Sequence, residues 1–295
     1  MNGIQEAALQ PESGAQSEDW TTIIRPQRRW FDLRLGDVWA YRDLIAIFVR
    51  RDFAATYKQT ILGPFWYLLR PLFSTVVFTV IFGNIAKLST DGLPPFLFYM
   101  SGTVIWSYFA SCLTKTSETF VSNAHLFGKV YFPRLAVPVS ILFSNLIAFA
   151  IQFLFFVGFL TFYIVTGVNV KPNIWILLSP VLLLIMAGLG LGFGIIVSSL
   201  TTRYRDLRFL VTFGVQLWMY ATPVIYPISS IPTRFKLLIM ANPLTPIIEA
   251  FRYAFLGAGS INPLMLLYSA GCMVLVLIVG VVMFNRIEAT FMDTV

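Results

Sequence analysis

The side chains that could do chemistry are concentrated in one stretch. NAHLFGKVYFPRLAVP, residues 123–138, holds His125, the chain's only histidine, together with Lys129, Tyr131, Phe132 and Arg134. A single histidine cannot build the usual histidine-based zinc site. Cys112 and Cys272 have no cysteine neighbour, and no serine stands in a G-x-S-x-G elbow. HLFGKV pairs Gly128 with Lys129, but Asn123 occupies the place of the first glycine of a phosphate-cradling loop, and Val130 the place of its Ser or Thr. No metal, no organic cofactor and no bound ATP is therefore expected in this chain, and enzymatic chemistry is disfavoured. Coupling to an ion gradient usually needs a carboxylate at mid-membrane depth. Here Glu118, Asp206 and Glu288 fall at the edges of apolar runs, and Glu249 lies in a broken one.

What remains is charge without catalysis and aromatic rings with amides. Arg50, Arg51, Lys58 and Arg70 cluster around the entry to the first apolar run, and RYRDLR carries Arg203, Arg205, Asp206 and Arg208. The latter reads equally as a solvated turn with local ion pairs and as a contact for a partner. Asn145, Phe149, Gln152, Phe156, Phe159 and Tyr163 recur at three- and four-residue steps, as do Phe209, Phe213, Gln216 and Tyr220, so each set shares one helical face. Rings stack on sugars and amides bond hydroxyls, which suits the wall of a path for a sugar polymer. Taken alone, each stripe is better read as helix packing, in which buried amides join neighbours.

The elements carrying these residues are set by composition. Of 295 residues, 57% are hydrophobic and 12% charged, about half the charged share of soluble domains. An all-α integral membrane protein is expected, with six runs long enough to span: 64–86, 94–113, 137–168, 174–200, 207–228 and 263–284. The apolar stretch 235–257 contains Lys236, Glu249 and Arg252 and is cut by Pro243 and Pro246, so a re-entrant hairpin over about 229–262 is expected before the last span. Eight Lys and Arg precede Pro64, three lie in 114–136 and three in 201–208, against one in 87–93 and one in 169–173. That asymmetry puts both termini and both basic loops on the cytoplasmic side. It also accounts for the net charge of +7 without a nucleic-acid partner.

The first 63 residues are too long and polar for a cleaved signal peptide. Residues 1–24 are expected to be a disordered acidic tail, and 25–63 a cytoplasmic interface segment whose part from 36 to 60 is a basic amphipathic helix. The six-span transmembrane domain would then occupy 64–295. GLGLGFGIIVSS places small residues four apart, which lets helices approach closely in lipid.

The punctuation between the runs carries a resemblance. RRDFAATYKQTILGPFWYLLRP (50–71), NAHLFGKVYFPRLAVP (123–138), RYRDLRFLV (203–211), TPVIYP (222–227) and NPLTPIIEAFR (242–252) resemble the membrane subunit of type-2 exporters of the ABC transporter class. Within that class they are similar to permeases that export bacterial surface polysaccharides such as lipopolysaccharide O-antigen, teichoic acid and capsule. The resemblance implies a homodimer in the bacterial inner membrane, two copies of a separate ATPase that bind ATP and Mg, and a polyprenyl-diphosphate-linked polysaccharide, lipopolysaccharide O-antigen first, as cargo. It implies that 119–133 is a coupling helix docking on the ATPase through His125, Lys129, Tyr131, Phe132 and Arg134, with Arg203, Arg205 and Asp206 as a second contact. It implies that Leu62 and Gly63 form a loop at the substrate entry, where Arg50, Arg51, Lys58 and Arg70 would hold the diphosphate. The path would be lined by Phe149, Gln152, Phe156, Phe209, Phe213, Gln216 and Tyr220. A type-2 permease for lipid, teichoic acid or drug export and, more weakly, a membrane enzyme of lipid-linked sugar assembly are the alternatives.

Overall fold

A computed structural model describes residues 35–57, 63–127, 129, 132–201, 204 and 206–291. The expected acidic tail, together with Lys58, Leu62, Tyr131, Arg203 and Arg205, lies outside the described residues. Every element among the described residues is helical. In chain order they are α1 (Leu35–Ala40), α2 (Arg42–Tyr57), α3 (Trp66–Phe78), α4 (Pro95–Ser117), α5 (Thr119–Ser122), α6 (Ala124–Phe127) and α7 (Ala136–Val165). There follow α8 (Ser179–Thr201), α9 (Leu207–Tyr220), α10 (Thr233–Met240), α11 (Thr245–Leu256) and α12 (Pro263–Phe291).

Five helical segments among the described residues are long and apolar enough to cross a membrane: Trp66–Ile85, Pro95–Ser117, Ala136–Val165, Ile174–Thr201 and Pro263–Ile287. The first is α3 continued by a π-helical stretch, Thr79–Ile85. The segment expected to span at 207–228 instead forms a helix of 14 residues, about 21 Å long where a hydrocarbon core is about 30 Å thick. Its stop is chemical. Pro223 has no N–H to continue the ladder and its ring meets the carbonyl four residues back, and Pro227 repeats the block.

α4 is the axis of the bundle, with most of its side chains buried. It packs against α8, which in turn packs against α12. Glycines permit both contacts. A Cβ on Gly194 would stand 2.6 Å from the Cβ of Thr116 on α4, and one on Gly192 would stand 2.8 Å from a methyl of Val276 on α12. Any side chain at either position would push the helices apart, as the four-residue spacing of small residues predicts.

The two ends of α4 fix where α9 runs. At its C-terminal end the Ser117 carbonyl accepts the Thr201 hydroxyl at 3.0 Å, six residues before α9 begins. Beyond its N-terminal end Asp91 accepts the Ser229 hydroxyl at 2.6 Å. The chain from 207 to 229 therefore travels the length of α4, first as helix and then as the turn-rich segment 221–227.

The stretch 229–262 holds a pair of short helices, α10 and α11, joined by a turn at 241–244. Asn242 ties that turn down. Its Nδ2 donates to the Thr222 hydroxyl at 2.8 Å, and its Oδ1 accepts the Leu244 N–H at 3.1 Å. α11 is buried over most of its length and α10 presents Leu237 and Leu238 outward. α11 also carries a buried ion pair, Arg252 Nη1 to Glu249 Oε1 at 3.3 Å. The Arg252 Nη2 donates to the carbonyls of Pro223 and Val224 at 3.1 and 3.2 Å, and the guanidinium lies 3.8 Å from the centre of the Phe98 ring. One arginine thus clamps α11 to α4 and to the segment that ends α9.

Candidate transport cavity and coupling face

Three helices line an open cavity of about 470 Å³. α3 contributes Trp66, Tyr67, Arg70, Pro71 and Ser74; α4 contributes Ser107, Ser111 and Lys115; α7 contributes Asn145, Ala148 and Gln152. Each set follows helical spacing, 67–70–71–74, 107–111–115 and 145–148–152, so each helix turns one polar face inward. Lys115 Nζ donates to Asn145 Oδ1 at 3.0 Å, and Asn145 Nδ2 approaches Cys112 Sγ at 3.7 Å. Gln152 is buried, and its Oε1 has no hydrogen-bond partner. Among the described residues no carboxylate lines this space, while two cations do.

A second constellation gathers at the start of α7. Phe120 stacks on Phe284 at 4.6 Å, Phe127 meets Phe132 at 5.8 Å, and Phe48 of α2 meets Phe132 at 5.6 Å. Arg134 is only 5% exposed and lies over the Phe127 ring at 5.4 Å. This aromatic knot joins α2, the α5–α6 segment, α7 and α12. Val121, His125 and Lys129 point away from it and are exposed.

Residues 43–256 match the model of the ABC-2 type transporter family. The chain belongs to that family. Two O-antigen export system permease proteins RfbA of Klebsiella pneumoniae are similar to it. One is 28% identical over 253 residues, spanning 85% of this chain and 94% of its own length; the other is 29% identical over 254 residues with the same coverage. A third, of Myxococcus xanthus, is 26% identical over 223 residues, 74% of this chain and 82% of its own.

Within this ABC-2 type chain the expected site residues separate into those brought together and those drawn apart. Arg70 and Gln152 meet at the cavity. Phe149 and Phe156 are held in ring contacts within the chain: Phe149 packs on Tyr108 and Phe153 at 5.4 and 5.6 Å, and Phe156 lies between Phe251 and Phe255 at 5.8 and 5.5 Å. Rings at those positions serve the packing of α4, α7 and α11, because α11 folds back onto the α7 face. Phe209, Phe213, Gln216 and Tyr220 keep their common face and are all exposed.

In the segment expected to dock on the ATPase, Phe132 and Arg134 are buried in the aromatic knot. His125, Lys129 and Asp206 are exposed. Among the residues expected at the substrate entry, Arg50 is exposed, whereas the Arg51 guanidinium holds Asp52 at 2.8 and 3.0 Å and lies 4.8 Å from the Phe48 ring. Gly63 sits at φ +51°, a left-handed turn that a side chain would strain. Lys115 was missed, and with it Ser107 and Ser111. The signal was present as a polar four-residue repeat on an apolar helix, hidden because hydroxyls on buried helices often bond only their own backbone.

Proposed function

We propose that this chain is the membrane permease of an ABC transporter that exports lipopolysaccharide O-antigen, linked to polyprenyl diphosphate, across the bacterial inner membrane. One observation carries the reading: similarity to three O-antigen export permeases runs along most of this chain and most of each of theirs. The mechanism divides labour. ATP and Mg bind a separate ATPase present in two copies, and two permease chains form the path.

The membrane topology of this reading has six crossings, with both termini cytoplasmic. Five are the long apolar helices, and the fifth in chain order is α9 with the segment 221–229. The run of 207–229 along the whole of α4 supports it. A segment that starts beside Thr201 and reaches Asp91 covers the same distance as a 23-residue helix, about 35 Å. The pair α10–α11 then enters and leaves on the outer side. Arg252 clamps it there and so closes the path outwardly.

ATPase docking falls to the outward side of α5–α6, through Val121, His125 and Lys129. The aromatic knot behind them supplies the rigid backing that transmits movement to α2, α7 and α12. The exposed α9 face, Phe209, Phe213, Gln216 and Tyr220, meets the second copy or the aqueous path.

A deletion strain tests the reading. Loss of the gene should abolish surface O-antigen while lipid-linked polymer accumulates inside, and Lys129→Glu should lower export and co-purification of the ATPase together. Normal surface O-antigen in the deletion strain, with altered lipid or drug sensitivity instead, would replace the cargo.

A further inference from the structure

The cavity between α3, α4 and α7 has a chemistry more specific than a wall for sliding sugars. Arg70 and Lys115 are its only charged side chains among the described residues. Arg70 is exposed and makes no hydrogen bond or ion pair with a described residue, leaving its planar donor fork free. Lys115 spends one ammonium N–H on Asn145 and retains two. Asp52 lies outside the cavity lining but within electrostatic reach of Lys115, and its carboxylate also pairs with Arg51 at 2.8 Å.

Two like charges converging on one space, with no carboxylate lining it, are tolerated when an anion binds there. Ser74, Ser107 and Ser111 add hydroxyls to the same walls. The far wall asks for something else. Gln152 lies seven residues beyond Asn145 on α7, about 10 Å along the helix, and presents a buried carbonyl oxygen with nothing donating to it. An unpaired buried acceptor costs free energy until a donor arrives. An anion at one end and a hydroxyl donor at the other define a single ligand.

We propose that this cavity binds the head of a hydroxylated phosphate ester, with Arg70 and Lys115 on the phosphate and Gln152 on a hydroxyl. Its volume of about 470 Å³ falls within the usual range for small-ligand sites. Two sources carry that chemistry: the glycosyl diphosphate head of a lipid-linked glycan, and the phosphoglycerol head of an anionic bilayer lipid. The first rests on the export reading above; the second does not.

The test uses the full-length chain in nanodiscs of phosphatidylcholine and three probes: a short-chain polyprenyl diphosphate bearing one hexose, the same diphosphate without the hexose, and phosphatidylglycerol. The expected result is that Lys115→Gln and Arg70→Gln each weaken binding about tenfold or more, as loss of a charge-assisted contact does. Lys115→Arg retains most of the affinity, and Lys236→Gln, on the exposed α10, changes nothing. Gln152→Leu lowers affinity for the hexose-bearing probe to that of the bare diphosphate. Because Arg70 is exposed, its substitution leaves folding intact even where Lys115→Gln does not. Lys115-dependent binding of the glycosyl diphosphate alone identifies cargo; the same dependence for phosphatidylglycerol with equal or higher affinity identifies bilayer lipid. No measurable binding of any probe, or affinities unchanged in both Arg70→Gln and Lys115→Gln, overturns the proposal. That failure stands apart from the export reading, which is judged by surface O-antigen in the deletion strain and not by binding to the isolated chain.

Discussion

The α7 and α9 stripes both combine rings with amides at steps of three and four, yet the protein uses them in opposite ways. On α7, Phe149 and Phe156 are packed into the bundle, Phe156 with no exposed surface at all. On α9, Phe209 and Phe213 are 69% and 60% exposed. Periodicity explains why each set shares a face, but what the face meets depends on distant chain. Phe251 and Phe255 of α11 cover the α7 stripe, and no described element of this chain covers that of α9. Between them on α7 stands Gln152, rotated off the ring contacts into the cavity.

The sharpest way to break this contrast is to release α11. Arg252→Ala removes the partner of Glu249 and the donor to two carbonyls in a site where Arg252 is 2% exposed. Stranding a buried charge costs about 3–5 kcal/mol. The variant should lose most of its thermal stability in detergent, and a cysteine at 156 should become reactive where it is inert in the parent. Unchanged melting would mean that the rings of α7 and α11 hold the cover without the clamp.

A smaller effect separates the stripes directly. Phe156→Ala should destabilise the purified chain by about 2–3 kcal/mol, below the usual cost for a buried ring, because lipid offers the unfolded helix an apolar surround that water does not. Phe213→Ala should change stability within about 0.5 kcal/mol, as expected for an exposed position. Equal losses at both would show that α9 packs against something as firmly as α7 does.

How much of this was legible follows from the same logic. Five of the expected spans appear because about 20 apolar residues of helix is a local property, and the α8 glycines disclosed close packing because the absence of a side chain is also local. The short α9 could have been read from Pro223 and Pro227, whose effect on a helix needs no tertiary knowledge. The burial of Phe132 and Arg134 could not. It depends on Phe48 and Phe127 arriving from α2 and α6, and a basic aromatic loop has the same sequence whether its rings face a partner or its own chain. The cavity is half legible: the sequence points to Arg70 and Gln152 in separate roles, and only the meeting of α3, α4 and α7 joins them to Lys115.

The finest probe asks which surroundings the α9 face has. Positions 213, 216 and 220 lie at steps of three and four, within one narrow sector of the helix. Gln216 makes that sector a poor neighbour for lipid, since an unpaired amide in hydrocarbon costs several kcal/mol. Protein contact would satisfy the amide and shield it, whereas an aqueous path would leave it wet whenever the path opens. Single cysteines at 213, 216 and 220, in a chain with Cys112 and Cys272 replaced by Ser, should alter stability little, so labelling reports surroundings alone. With the ATPase turning over, a water-soluble thiol reagent should modify 216 and 220 faster than in its absence, while cysteines at 149 and 156 stay unmodified throughout. Labelling at 214 and 218 instead, on the other side of α9, would return the exposed rings to lipid and leave Gln152 on α7 as the wet amide of the pair.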